Sequence, residues 1–151
     1  MKSLIRFIAA MVLAAFLAGG VSTVHAWGNP DPKEALAEAV SAIKNKDFDE
    51  AIRLLEVVLG EDGKNADALT WMGYSYRKKN DYDRALRYYK LALKIDPNHL
   101  GANAYIGEAY LELKQLDKAR VHLDRLAKLC GPGCEAYRDL KEAFEAYSAK
   151  A

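Results

Sequence analysis

Apolar residues in this chain recur at spacings of three and four, the signature of one face of a helix. Between Ala66 and His99, Leu69, Met72, Gly73 and Tyr76 form such a stripe. The polar stretch Asn80-Asp81-Tyr82-Asp83 interrupts it, and Asp81 stands where an N-cap is expected. A second stripe follows at Ala85, Leu86, Tyr89, Ala92 and Leu93, and Asp96-Pro97-Asn98 ends it. Proline cannot continue a helix, and it disfavours helix in the residue before it. Upstream, Asp31-Pro32-Lys33-Glu34 supplies an acidic cap, a proline at the first helical position and an early glutamate. Asp47-Phe48-Asp49-Glu50 repeats the cap, and Gly60 and Gly63 bracket the loop after the second helix. The pattern predicts seven helices and no sheet.

The stripes repeat with a period of 34 residues. Gly73 and Gly107 are one period apart, as are Tyr76 and Tyr110. Ala51, Ala85 and Ala119 keep the same interval, as do Phe48, Tyr82 and Leu116, then Asp49, Asp83 and Asp117, then Leu55, Tyr89 and Leu123. Small residues at Gly73, Ala85 and Ala92 would let paired helices approach closely, with Tyr76 and Tyr89 filling the space beside them. A glycine inside a helix costs about 1 kcal/mol relative to alanine. Its return at Gly107 therefore points to tight packing.

With these columns the chain resembles the tetratricopeptide repeat family. The middle unit, 66–99, carries Leu69, Met72, Gly73, Tyr76, Ala85, Tyr89, Ala92 and Pro97 in the family's signature positions. The third unit, 100–133, matches at Ile106, Gly107, Tyr110 and Ala119, but has Leu126 for the last small residue and Gly131 for the proline. The first, 32–65, is degenerate: it keeps Phe48, Ala51 and Leu55 and has Ala39 in the glycine column. Residues 134–151 read as a capping helix, with Tyr137, Leu140 and Phe144 in the matching columns. A terminal cap is needed because the last repeat would otherwise expose its apolar side. The resemblance implies an all-α, right-handed superhelical solenoid of antiparallel helix pairs, three units and a cap.

It also implies where a partner would sit, since similar proteins bind peptides on the concave face formed by the first helix of each unit. Here that face offers the columns Thr70/Ala104/Arg138, Tyr74/Glu108/Glu142, Arg77/Leu111/Glu145 and Lys78/Glu112, with Trp71 and Tyr105 in a neighbouring one. The expected partner-binding set is thus Thr70, Trp71, Tyr74, Arg77, Lys78, Tyr105, Glu108, Glu112 and Arg138. Aromatics and arginine are frequent binding anchors, although the same residues could simply be half-packed helix positions. The Lys and Asn set with which some family members clamp a C-terminal carboxylate is not visible. The first helix leaves its register open. Under the strict period Leu36, Val40 and Ile43 face the groove. A slide by one residue would put them in the packing columns and take Glu38 out of the core. The slide is preferred here because a buried unpaired carboxylate is costly.

The amino terminus adds an address. Lys2 and Arg6 precede an uncharged apolar run from Phe7 to Val21, and Val24-His25-Ala26 places small residues before a cut at Trp27. These are the parts of a secretory signal peptide over 1–26, followed by a short linker over 27–31. An uncleaved membrane anchor is the alternative, but the run is shorter than the roughly 20 residues that cross a bilayer comfortably. Export, most naturally to a bacterial periplasm, is the expectation, with no membrane attachment after cleavage. Composition fits a packed domain: 51% of the 151 residues are hydrophobic and 28% charged. Removing Lys2 and Arg6 takes the basic count from 22 to 20 against 21 acidic residues. Such a balance argues against a nucleic-acid partner.

Catalytic constellations are missing from the pattern. His99 and His122 lie in no metal-ligand spacing, His99 after the Asp-Pro-Asn turn and His122 on a helix. No GxSxG, GxxxxGK[ST] or GxGxxG occurs, and nothing calls for a cofactor or a metal. Ser41, Ser75 and Ser148 have no histidine nearby in sequence. Acid pairs Glu108/Glu112 and Glu142/Glu145 are ordinary for solvated helix faces. The remaining chemistry is Cys130-Gly131-Pro132-Gly133-Cys134 at the turn into the cap. In an exported chain with an even cysteine count a disulfide is the default, contributing about 2 kcal/mol for so short a loop. A thiol redox pair and a soft-metal site stay as alternatives. The expected function is a non-enzymatic scaffold or assembly adaptor of the cell envelope that binds a protein or peptide. A thiol-active or metal-handling accessory factor is the alternative, and self-association through the concave face a third reading.

Overall fold

The computed structural model describes residues 30–149. The leader expected over 1–26 and the first residues of the expected linker lie outside that range. Among the described residues seven α-helices follow one another: α1 (Pro32–Lys44), α2 (Phe48–Glu61), α3 (Ala66–Lys78), α4 (Tyr82–Ile95), α5 (Leu100–Glu112), α6 (Leu116–Leu129) and α7 (Glu135–Ser148). A 3-10 turn, Gly131–Gly133, separates the last two, and no strand occurs among the described residues.

The helix starts follow from local chemistry. The first amides of a helix have no internal partner, so a side-chain acceptor just upstream fixes where it begins. Asp31 Oδ1 accepts from Lys33 N (2.8 Å), Asp47 Oδ1 from Glu50 N (3.1 Å) and Asp81 Oδ1 from Arg84 N (3.0 Å). Asn65 and His99 do the same for α3 and α5, at 2.9 and 3.1 Å. His99 is thus a cap: its Nδ1 accepts from Ala102 N, so Nε2 carries the hydrogen and donates to Asp67 Oδ1 at 2.9 Å. Between the helices of each pair the chain turns through one left-handed residue, Lys46, Asn80 or Lys114, with φ of 62°, 62° and 58°.

Successive first helices touch one another, α1 to α3, α3 to α5 and α5 to α7, whereas no such contact joins α2 to α4 or α4 to α6. The array therefore curves with α1, α3, α5 and α7 on its inner side. One apolar core runs through the stack, with Leu54, Leu55, Met72, Tyr89, Ile106, Leu126, Leu140 and Phe144 all buried in it. Leu126, which breaks the small-residue column, is fully enclosed. The strict period holds in α1, and the slide by one residue is corrected. Its bounds and cap sit one period before those of α3, Ala35, Ala39 and Ala42 are buried, and Glu38 is exposed. Glu38 needs no slide to escape burial, because among the described residues no helix covers that face of α1.

Candidate functional site

Where α3 and α5 lie side by side on the inner curve, three aromatic rings meet. Trp71 packs edge-on to Tyr74 with ring centroids 5.8 Å apart, and Tyr105 of α5 stands 5.9 Å from Trp71 and 5.0 Å from Tyr74. All three are half-buried. Ile43 supports them from the α1 side, in one apolar cluster with Trp71 and Tyr74. Lys78 holds its ammonium 5.2 Å from the Tyr74 ring, within cation–π range.

Beneath this platform lies Arg77, its side chain only 2% exposed. It crosses from α3 to α5, with Nη2 2.7 Å from Glu108 Oε2 and Nη1 donating to Glu112 Oε1 at 2.7 Å. Its guanidinium also lies 5.3 Å from the Tyr74 ring centroid and 5.9 Å from that of Tyr105. Burial works against the charge, but the Tyr89 phenol and the Glu108 and Glu112 carboxylates outweigh it and hold the guanidinium above its usual range. The clamp is incomplete on one side, since Arg77 Nε and the Tyr89 hydroxyl are buried without a hydrogen-bond partner. Burial pushes the Tyr89 phenol well up despite the nearby guanidinium. The Tyr105 phenol is raised for the same reason.

The structure brings Trp71, Tyr74, Arg77, Lys78, Tyr105, Glu108 and Glu112 together and sets two expected site residues apart. Thr70 is 2% exposed and donates its hydroxyl to Ala66 O at 2.8 Å, so it is a packing residue. Arg138 is exposed near the start of α7 and donates to Pro132 O at 3.2 Å, bracing the turn. Arg77 is itself a tie between helices rather than an open contact. Sequence reasoning weighed Ile43 under the strict period and set it aside for the slide, yet the structure places it beside the rings. It missed the groove between α5 and α7 lined by Leu111, Ala143, Ala146 and Tyr147.

Cys130 and Cys134 are disulfide-bonded, with Cα atoms 5.7 Å apart, and staple the end of α6 to the start of α7. Gly131 between them takes a φ of +55°, a backbone conformation that favours glycine. His122 sits at a packing edge. Asn103 donates its amide to Pro97 O and His99 O, which leaves Oδ1 to accept from His122 Nδ1 at 3.0 Å. Burial, aided by the Arg125 charge, pushes the His122 imidazole down to about 4. Among the described residues no helix is long and apolar enough to cross a membrane, and no group of three or more side chains could hold a metal ion.

Paired helices of fixed length, stacked at a constant interval, have known counterparts. Residues 44–126, more than half of the chain, match the family model for anaphase-promoting complex, cyclosome, subunit 3, a tetratricopeptide repeat model. The chain belongs to this tetratricopeptide repeat family. No curated protein matches it significantly. Among solved structures, the TPR domain of Sgt2 from Aspergillus fumigatus superposes with a TM-score of 0.70 at 21% identity, covering 80% of this chain and 79% of that one. The Yersinia enterocolitica type III secretion chaperone SycD, in complex with a peptide of the translocator YopD, gives 0.68 at 16% identity, covering 78% and 92%. The first TPR of Spaghetti (RPAP3), bound to the HSP90 peptide SRMEEVD, gives 0.69 at 20%, covering 78% and 95%. At such identities the likeness concerns the TPR fold.

Proposed function

We propose that this TPR protein is a non-enzymatic interaction scaffold or assembly adaptor that binds a protein or peptide on its inner curve. The observation that carries the reading is the platform of Trp71, Tyr74 and Tyr105 over the Arg77 clamp. Rigid, half-exposed aromatics beside a cation are the anchors that dominate many protein interfaces. Neighbours of the same fold were solved holding peptides, SycD with a YopD peptide and the first TPR of Spaghetti with an HSP90 peptide, which supports the reading by analogy. Replacing Tyr74 by a photo-crosslinking residue in living cells should yield an adduct with another protein, and Trp71→Ala should weaken capture by about 2 kcal/mol. Absence of any adduct overturns the proposal, and an adduct with a second copy redirects it to self-association.

The place of action is part of the same proposal. The basic, apolar and small-residue sequence of 1–26 directs the chain to the cell envelope, where the Cys130–Cys134 bond would persist. Amino-terminal sequencing of the protein from an envelope fraction should begin at Trp27. A start at Met1 in a membrane pellet would overturn cleavage.

A further inference from the structure

The inner curve contains the same position several times over, filled differently each time. Ile43, Arg77, Leu111 and Glu145 occupy one column on α1, α3, α5 and α7. Between α3 and α5 that column holds Arg77, whose guanidinium spans the gap to Glu108 and Glu112 while Tyr74 and Tyr105 close over it. One period later the column holds Leu111, which has no head group with which to cross. On α7 the carboxylate of Glu142 stands in the column of Glu108, and Ala146 stands in that of Glu112. Among the described residues no cation pairs with Glu142, whereas Glu145 takes Lys141 at 2.6 Å. The gap stays open as a groove of about 320 Å³ lined by Glu108, Leu111, Glu112, Ala143, Ala146 and Tyr147. Its floor is apolar, since Leu111 is nearly covered, and at its wall Glu108 and Glu112 share the one charge of Arg77, which leaves a net negative charge there. The small side chains of Ala143 and Ala146 leave it accessible from the inner side.

We propose that the α5–α7 groove binds a segment of a partner protein carrying an arginine or lysine beside an apolar residue. The apolar side chain would lie on Leu111 and Tyr147. The cation would meet the negative charge that one guanidinium leaves on the two carboxylates of Glu108 and Glu112. This deepens the scaffold reading and rests on it. The charge complementarity rests on that surplus, since Arg77 supplies one positive charge to two glutamates and Leu111 supplies none.

The test uses short synthetic peptides with a leucine flanked by arginines, the same peptides with glutamates in place of the arginines, and the same with serine in place of the leucine. Methyl NMR of the whole protein reads Leu111, Ala143 and Ala146 directly. The Arg-Leu peptide should shift these resonances saturably, and the glutamate version should bind about tenfold more weakly or less. Added salt should weaken the Arg-Leu complex. Leu111→Arg, which supplies the cation from within the chain, and Ala146→Trp, which fills the groove, should each abolish the shifts while circular dichroism stays helical. If Leu111→Arg fails to fold, Ala146→Trp carries the test. No saturable shift at the groove, or equal response to all three peptides, overturns the inference. Peptide shifts that survive both variants but vanish in Trp71→Ala also overturn it, while leaving the scaffold reading in place. The scaffold reading is judged separately, by crosslinks from position 74.

Discussion

Gly73 and Gly107 hold the same place in consecutive units, yet different neighbours press on them. A Cβ at Gly73 would lie 2.6 Å from two carbons of the Tyr89 ring and 3.1 Å from the Ala85 carbonyl oxygen, both on α4. At Gly107 the Cβ would meet Leu140 of α7, at 2.5 and 2.8 Å from its methyl carbons, rather than Leu123 of its own unit. In the middle unit the large ring of Tyr89 fills the socket from within the pair. In the third, the shorter Leu123 leaves room, and the capping helix supplies the filling. The family's glycine thus marks a socket without specifying what occupies it. The third pair is finished by the cap, which is the physical meaning of a terminal helix in a solenoid.

The strongest way to break this comparison is to empty the socket from either side. Leu140→Ala should cost about 3–5 kcal/mol in urea unfolding, because Leu140 is fully enclosed. Leu123→Ala, at a half-buried position, should cost clearly less. The opposite ranking would mean that the third unit is completed internally after all. Next in size, Gly73→Ala should destabilise by about 1–3 kcal/mol through overpacking, since one wall is backbone. Gly107→Ala should cost less than Gly73→Ala, because only side-chain carbons of the enclosed Leu140 must shift and no backbone stands in the way, while alanine is the better helix former. Thermal melts of the two variants side by side would show whether the sockets differ as described.

A pH series sharpens the contrast further. Tyr88 stacks on Tyr76 in the middle unit, with centroids 5.5 Å apart, and His122 takes the same place on Tyr110 in the third, at 5.9 Å. With its pKa lowered from 6.5 to about 4 by burial, folded His122 stays neutral over a range where the unfolded chain binds a proton. Its contribution to stability is therefore complete above pH 6.5, is lost as pH falls toward 4, and levels off below. His122→Tyr, which copies the middle unit, should flatten that part of the profile relative to the parent chain. An unchanged profile would show that the imidazole titrates normally. The smallest effect is expected at Tyr89→Phe. Its hydroxyl is buried without a partner, so removing it should raise stability by about 1 kcal/mol or less in the same melts.

The features readable in the sequence were those written within one or two turns of chain. The Asp31, Asp47 and Asp81 caps, the breaks at Asn80 and Pro97, and the 34-residue columns depend on neighbours a few residues away or on plain repetition. Less legible were features set by what stands opposite. Glu38 was judged by the cost of burying it, but burial needs a covering helix, and among the described residues none covers that face of α1. Arg77 read as an exposed anchor because its carboxylates come from α5, a full unit downstream. Thr70 sat in an open column on paper and is covered by the start of α5, near Gly101. His99 was read only as following the Asp-Pro-Asn turn, although it stands one period after Asn65 and caps α5 as Asn65 caps α3. The platform was visible as a set of residue types, whereas its depth was not.

The elbows at Lys46, Asn80 and Lys114 share one left-handed conformation, and they join inner helices of 13 residues to outer helices of 14. The turns between units over 62–65 and 96–99 match as well, Asp62 Oδ1 accepting from Lys64 N and Asp96 Oδ1 from Asn98 N, each at 2.9 Å. These joints, unlike the disulfide-closed one into α7, are therefore interchangeable. A gene segment encoding one helix pair, duplicated between the middle and third units, would meet the same geometry at both seams. The spiral would lengthen by one step, its ends unaltered, and the surface offered to a guest would grow by a fixed increment.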